Sequence, residues 1–139
     1  MDTQFATPPT LLLADDNPAL LANVVEMLQA EYRVVAALSS GASVLEEIGL
    51  LSPDIAILDI SLGDLTGFEV AKCLRARGHR VKIIFLTVHE DIDFVSAAFD
   101  IGASGYVFKS RVIEDLTKAI EIVFNGGRFA SRSLPSTEC

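Results

Sequence analysis

Asp15, Asp16, Asp59, Thr87 and Lys109 are the residues whose types and spacing could do chemistry together. Each stands at the end of a different short apolar run, except the adjacent pair Asp15-Asp16. Three carboxylates held close repel one another, so such a site either raises their pKa values or takes up a divalent cation. An oxygen-only donor set with room for water suits Mg²⁺. Lysine adds a point charge for phosphoryl oxygens and threonine a hydroxyl. A carboxylate can also act as the nucleophile that becomes an aspartyl phosphate. Metal, nucleophile, charge clamp and hydroxyl are the parts that phosphoryl transfer to a side chain requires. Singly these residues say little. An Asp-Asp before a helix is an ordinary cap and dipole partner, and Asp59 alone is open to a capping role as much as a chemical one.

The elements that must bring them together are legible in the apolar pattern. Thr10 to Ala14 reads as a strand running into Asp15-Asp16, and Asn17-Pro18 as the N-cap and first position of a helix packed through Leu20, Val24, Met27 and Leu28. Arg33 to Leu38 is a second strand, followed by a helix opened by Ser39-Ser40-Gly41 with Val44, Ile48 and Leu51 on one face. The run Ile55-Ala56-Ile57-Leu58 is short, wholly apolar and bounded by Pro53-Asp54, as in a strand buried on both faces, and it ends at Asp59. Thr66 caps a third helix with Phe68, Ala71 and Leu74 inward, stopping near Gly78. Lys82 to Thr87 and Gly105 to Lys109 are the fourth and fifth strands. The helix between them carries Val95, Ala98 and Phe99 and ends at Gly102. The last helix uses Ile113, Leu116, Ile120, Val123 and Phe124 and stops at Asn125-Gly126-Gly127.

Five strands each followed by a helix predict a doubly wound, five-stranded parallel α/β sheet with five helices. In such a sheet the carboxyl ends of the strands line one edge, where ligands bind. The chain divides into a leader over 1–9, one domain over 10–127, and a tail or start of a linker over 128–139.

Composition excludes several classes. Half of the residues are hydrophobic, which rules out a disordered chain. No apolar run nears the ~20 residues of a membrane span, and Met1-Asp2-Thr3-Gln4 lacks the basic start of a secretory signal. The net charge of −8 argues against direct nucleic-acid binding, which needs a basic face. Cys73 and Cys139 suggest no disulfide framework, and a reducing cytoplasm is the simpler setting.

Over about residues 10–127 the sequence resembles the receiver domain of a two-component response regulator. The matching stretches are Leu13-Ala14-Asp15-Asp16-Asn17, Ile57-Leu58-Asp59-Ile60, Leu65-Thr66-Gly67-Phe68-Glu69, Phe85-Leu86-Thr87 and Gly102 to Lys109. The resemblance implies a flavodoxin-like strand order 2-1-3-4-5 and a role for each position. Asp59 would be the phosphoacceptor. Asp15 or Asp16, with Asp59 and the backbone carbonyl of Ser61, would hold Mg²⁺. Thr87 and Lys109 would bind the phosphoryl group, and Tyr106 would be the aromatic switch that turns inward when Thr87 is drawn to it. A histidine kinase would donate the phosphoryl group. The fourth helix, fifth strand and fifth helix would carry the signal, with a homodimer formed on phosphorylation. The domain would not be an enzyme beyond promoting its own phosphorylation and dephosphorylation. Phe108-Lys109-Ser110 and Ile122 to Phe129 resemble receivers of the LuxR/NarL type. DNA would then be reached only through a helix-turn-helix output domain after a linker, this chain being a fragment rather than a stand-alone receiver.

Three positions depart from the family pattern. Gly63 replaces the usual proline and would loosen the loop after Asp59. Val88 replaces a small residue after Thr87 and could narrow access. Ser110 replaces a frequent proline after Lys109. Other residues are read blandly: His89 and His79 as loop histidines, Glu90, Asp91 and Asp93 as helix-start charges, and Arg75, Arg77 and Arg80 as a solvated basic patch. A haloacid-dehalogenase-type phosphohydrolase would need a second aspartate two residues after the nucleophile, where Ser61 stands. An unphosphorylated pseudo-receiver would lack part of the acidic pair, acceptor or lysine, and this chain has them all.

Overall fold

Strand residues alternate strictly between two apolar layers, which is why their sequences show no polar face. Leu12, Ala14, Ala56, Leu58, Ile83 and Phe85 point to one layer, and Leu11, Leu13, Ile55, Ile57, Ile84 and Leu86 to the other. In a computed structural model describing residues 7–132, these runs form β1 (Thr10–Ala14), β2 (Arg33–Leu38), β3 (Ile55–Leu58), β4 (Lys82–Thr87) and β5 (Gly105–Phe108). A short sixth strand, β6 (Phe129–Ala130), follows the last helix. The helices are α1 (Pro18–Gln29), α2 (Gly41–Leu51), α3 (Gly67–Ala76), α4 (Ile92–Ile101) and α5 (Val112–Phe124).

All pairings are parallel and the order is β2-β1-β3-β4-β5-β6. The expected order 2-1-3-4-5 is present, but the sheet has six strands rather than five. Residues 129–130, expected in a tail or linker, extend it beyond β5. The first layer is covered by α2, α3 and α4 through residues such as Val44, Ile48, Val70, Leu74 and Ala98. The second is covered by α1 and α5 through Val24, Leu28, Leu116, Ile120 and Val123. The winding reverses between β1 and β3, and the crevice at that reversal is where open sheets of this kind place their ligands.

Local chemistry sets the helix ends. Asn17 Oδ1 accepts the amides of Ala19 and Leu20 at 3.1 Å each, with Pro18 at the first helical position. Thr66 and Glu69 form a reciprocal capping box. Gly102, at φ 106°, ends α4 in the left-handed conformation. Three residues expected on inward faces lie outside. Leu51 and Phe124 are the last residues of their helices and are exposed, and Ile113, in the opening turn of α5 past the end of β5, is 77% exposed. β5 ends at Phe108 rather than Lys109, because Lys109–Arg111 turns as a short 3₁₀ segment. Parts of the expected leader and tail, residues 1–6 and 133–139, lie outside the described residues.

Candidate functional site

Backbone pairing carries the first and third strands one residue beyond their apolar runs. The Asp15 amide donates to Leu38 O at 3.1 Å and the Asp59 amide to Ala14 O at 3.0 Å. Both carboxylates are thereby fixed side by side at the crevice, only 4% and 3% exposed. Asp15 Oδ1 accepts the Asn17 amide at 2.8 Å, and Asp59 Oδ1 accepts the Ser61 amide at 3.2 Å. Lys109, at the start of the 3₁₀ turn after β5, reaches across. Its Nζ lies 2.8 Å from Asp15 Oδ2 and 2.9 Å from Asp59 Oδ2. The contact to Asp59 is a hydrogen bond. The one to Asp15 is an ion pair to Oδ2, a buried atom with no hydrogen bond among the described residues.

Asp16 is exposed, yet one oxygen from each of Asp15, Asp16 and Asp59 can be chosen so that all three lie within 4.8 Å. Among the described residues Lys109 alone pairs with this cluster, through Asp15 and Asp59. Burial pushes the Asp59 carboxyl above its usual range. The Lys109 hydrogen bond and the Ser61 amide pull the other way, and the Asp15 charge adds to the rise. For Lys109, burial opposes its charge, but its contacts to the Asp15 and Asp59 carboxylates outweigh it and hold the ammonium above its ordinary pKa. Burial sets the direction for Asp59, and the two carboxylates beside it set the direction for Lys109. Three carboxylate oxygens gathered this closely, an oxygen-only donor set, are what a hard divalent cation fits.

The loop after Asp59 is tightly built. Gly67 lies against the Asp59 carbonyl, and a Cβ there would collide with that oxygen. The Gly67 amide donates to Ile60 O at 2.7 Å. Ser61 pairs with Thr66 in an isolated antiparallel bridge. Gly63 takes φ 87°, a value closed to proline, so this loop follows a path that a proline there could not. Asp64, unremarked in the sequence, accepts the amides of Gly41 and Ala42 at 2.9 and 3.0 Å and ties the loop to the start of α2. Those amides and that of Leu65 hold its carboxyl below the usual range.

Thr87 is fully buried at the end of β4, and its Oγ1 accepts the His89 amide at 3.4 Å. Tyr106 is also fully buried, and its hydroxyl donates to the His89 carbonyl at 2.7 Å. Burial, with the charges of Asp91, Asp59 and Glu90, pushes this phenol up to about 12. His89 is therefore not a bland exposed loop residue. Its backbone joins Thr87 to Tyr106, and its ring stacks on Phe94 with centroids 4.5 Å apart. Val88 is 64% exposed. Glu90 accepts the Ser110 hydroxyl at 2.7 Å, closing the loop after β4 onto the turn that carries Lys109.

The basic patch is only partly solvated. Arg75 is half-buried and its guanidinium donates to the carbonyls of His79 and Val81 at 2.9 Å and of Gly102 at 3.1 Å. That fan pins the end of α3 to the start of β4 and the end of α4. Arg77 donates to Leu45 O at 3.1 Å. The sequence could not show these bonds, because backbone carbonyls carry no sequence signal.

Fold and site together define a class: an open parallel α/β domain with acids countered by one lysine at the point where the winding reverses. Residues 11–121 match the response regulator receiver domain, and the chain belongs to that family. The nitrate/nitrite response regulator protein NarP of Escherichia coli strain K12 is 32% identical over 128 residues, covering 91% of this chain and 60% of that one. A two-component response regulator of the LuxR family from Aurantimonas sp. SI85-9A1 superposes with a TM-score of 0.84. It is 29% identical, over 88% of this chain and 89% of that one. RcsB of Salmonella enterica serovar Typhimurium, bound to a promoter in the presence of phosphomimetic BeF3−, gives 0.81 at 25% identity, over 88% of this chain and 62% of that one. The likeness to LuxR/NarL-type receivers read from the sequence is thus shared by sequence relatives and solved structures. The chain spans 51% to 61% of the length of the curated relatives it matches.

Proposed function

We propose that this domain is a phosphoacceptor switch of a two-component system, with Asp59 as acceptor, a histidine kinase as donor and Mg²⁺ as the required ion. The observation that carries the reading is the pairing of Asp59, buried at the crevice, with a Lys109 it must share with Asp15. Asp15, Asp16, Asp59 and the Ser61 carbonyl would hold Mg²⁺, which when bound neutralises charge on the acids and on phosphoryl oxygens. In the transfer, an Asp59 oxygen attacks phosphorus, the bond from phosphorus to the donor imidazole nitrogen breaks, and the imidazole leaves with its electron pair. Lys109 offers its charge to the phosphoryl oxygens and Thr87 its hydroxyl. The aspartyl phosphate adds about −1.5 to −2 of charge. Thr87 turning toward that charge would give up the His89 amide, and the His89 carbonyl would in turn alter its hold on Tyr106. The domain would carry no catalysis beyond its own phosphorylation and dephosphorylation.

The family and the relatives support a wider setting. An output domain beyond this chain would make contact with DNA, phosphorylation would favour a homodimer, and the protein would work in the cytoplasm with no membrane contact. Among the described residues no helix is long and apolar enough to cross a membrane, and Cys73 is a free, exposed thiol.

The test is labelling by a small-molecule phosphodonor, with and without Mg²⁺, on the wild type and Asp59→Asn. Mass increase confined to the wild type with Mg²⁺ is the expected result. Equal labelling of both proteins would remove Asp59 from the role.

A further inference from the structure

The segment 128–131 grips three elements in succession. The Arg128 guanidinium sits 5.2 Å from the Phe99 ring centroid on α4. The amides of Phe129 and Ser131 donate to Ser104 O and Tyr106 O, at 3.0 and 2.8 Å, along the edge of β5. The Ser131 hydroxyl, in a residue only 6% exposed, then ends the ladder. It accepts the Phe108 amide at 3.1 Å, where a further strand would offer a carbonyl, and donates to Asp115 Oδ2 on α5 at 2.7 Å. Arg111 Nε donates to the same Asp115 oxygen at 2.9 Å. Phe129 packs into the layer under α1 and α5, and Ala130 into the layer under α4. A glycine turn makes the return possible: Gly126 has φ 93°, and a Cβ on Gly127 would meet Ile122 Cγ2 at 2.8 Å.

From these contacts we infer that residues 128–131 are a strap across the α4, β5 and α5 face whose docking is coupled to occupancy of Asp59. The inference rests on the phosphoacceptor reading. Its mechanical basis is the run 108–111. The Phe108 amide holds the strap, Lys109 holds Asp59, and Arg111 holds the carboxylate that the strap's serine grips. A phosphoryl group on Asp59 places Lys109's partner oxygen one P–O bond farther out than Oδ2. Lys109 then leaves Asp15, the short 3₁₀ turn moves with it, and the Phe108 and Arg111 contacts to the strap lengthen. The strap loosens, which frees the outer edge of β5.

The experiment is residue-resolved amide exchange by NMR on the 139-residue chain, with Mg²⁺ alone and with Mg²⁺ plus beryllofluoride. The Phe129 and Ser131 amides should exchange roughly tenfold faster with beryllofluoride, while those of β1 and β3 do not. Ser131→Ala should speed their exchange without any ligand and, by reciprocity, lower the half-saturating beryllofluoride concentration severalfold. Ser131→Thr, which keeps the hydroxyl, should restore both. Shifted amides around Asp59 with unchanged exchange at Phe129 and Ser131 would overturn the strap and leave the acceptor standing. Silence at both places would overturn the acceptor reading and the coupling with it.

Discussion

Replacing Lys109 by methionine removes the cation paired with both Asp15 and Asp59. The side chain is 15% exposed and its partners 5% and 4%, so solvent replaces little of what is lost. At an effective dielectric of about 20, a charge pair near 3 Å is worth roughly 5–6 kcal/mol before desolvation. Burying the lysine offsets much of that, and breaking a buried pair by deleting one partner typically costs about 3–5 kcal/mol. Urea unfolding at pH 7 without divalent ions should therefore show Lys109→Met less stable by about 3–5 kcal/mol. The pH dependence gives a second, independent sign. In the wild type the Asp59 pKa is raised above its ordinary 3.8, so the folded state binds the proton more tightly than the unfolded one. Asp59 thus lowers stability as pH rises from near 3.8 through its folded pKa, and the loss is recovered on acidification. Without the ammonium that pKa rises further, so the deficit of Lys109→Met should shrink when unfolding is repeated at pH 5. In the wild type, Lys109 itself contributes stability that is complete below 10.5 and lost only as pH rises through its still higher folded value. A variant as stable as the wild type at pH 7, with a parallel pH profile from 5 to 7, would refute the pairing of Lys109 with Asp15 and Asp59 as the support of this site.

Three further outcomes follow from the geometry. Gly67→Ala forces a methyl into the Asp59 carbonyl; urea unfolding should show a loss of about 1–3 kcal/mol, with displaced Asp59 and Ser61 amide resonances. Unshifted resonances there would contradict the close approach. Arg75→Met strips donors from the carbonyls of His79, Val81 and Gly102 and should cost about 2–4 kcal/mol; a change under ~0.5 kcal/mol would return Arg75 to the solvated patch. Asp115 is held below its ordinary 3.8: burial pushes it up, but the Arg111 and Ser131 bonds outweigh burial. Its contribution is present above pH 3.8 and lost as pH falls through the lower folded value, so acid unfolding of Asp115→Asn should be shallower than that of the wild type.

What the sequence made legible was whatever depends on side-chain type at fixed spacing. Apolar runs of four to six residues, each ending at Asp15, Asp59, Thr87 or Lys109, set both the sheet and the edge where the acids meet. Asn17-Pro18, Thr66 and Gly102 announced helix ends because capping is a side-chain event, whereas Glu69's half of the Thr66 box emerged only in the structure. Hidden were the contacts made to backbone. His89 looked incidental because its role rests on its amide and carbonyl, which any residue would supply. Arg75 looked solvated because its three acceptors are carbonyls. Helix periodicity misplaced Leu51, Ile113 and Phe124 because a 3.6-residue repeat continues formally to a helix end, whereas the sheet beneath does not.

β6 was hidden for a different reason. Two residues are too few for any periodic signal, and Phe129-Ala130 has no strand signature of its own. Its pairing is imposed by the neighbourhood: an open β5 edge, a glycine turn that points the chain back, and a buried Asp115 needing a hydroxyl partner. Exposed strand edges invite pairing with other chains, and covering one with the chain's own segment is among the ways proteins prevent it. In this domain the covered edge belongs to the strand that ends at Lys109. A segment that looks like spent linker in the sequence is therefore joined, through Phe108 and Arg111, to the run that carries Lys109 and its hydrogen bond to Asp59.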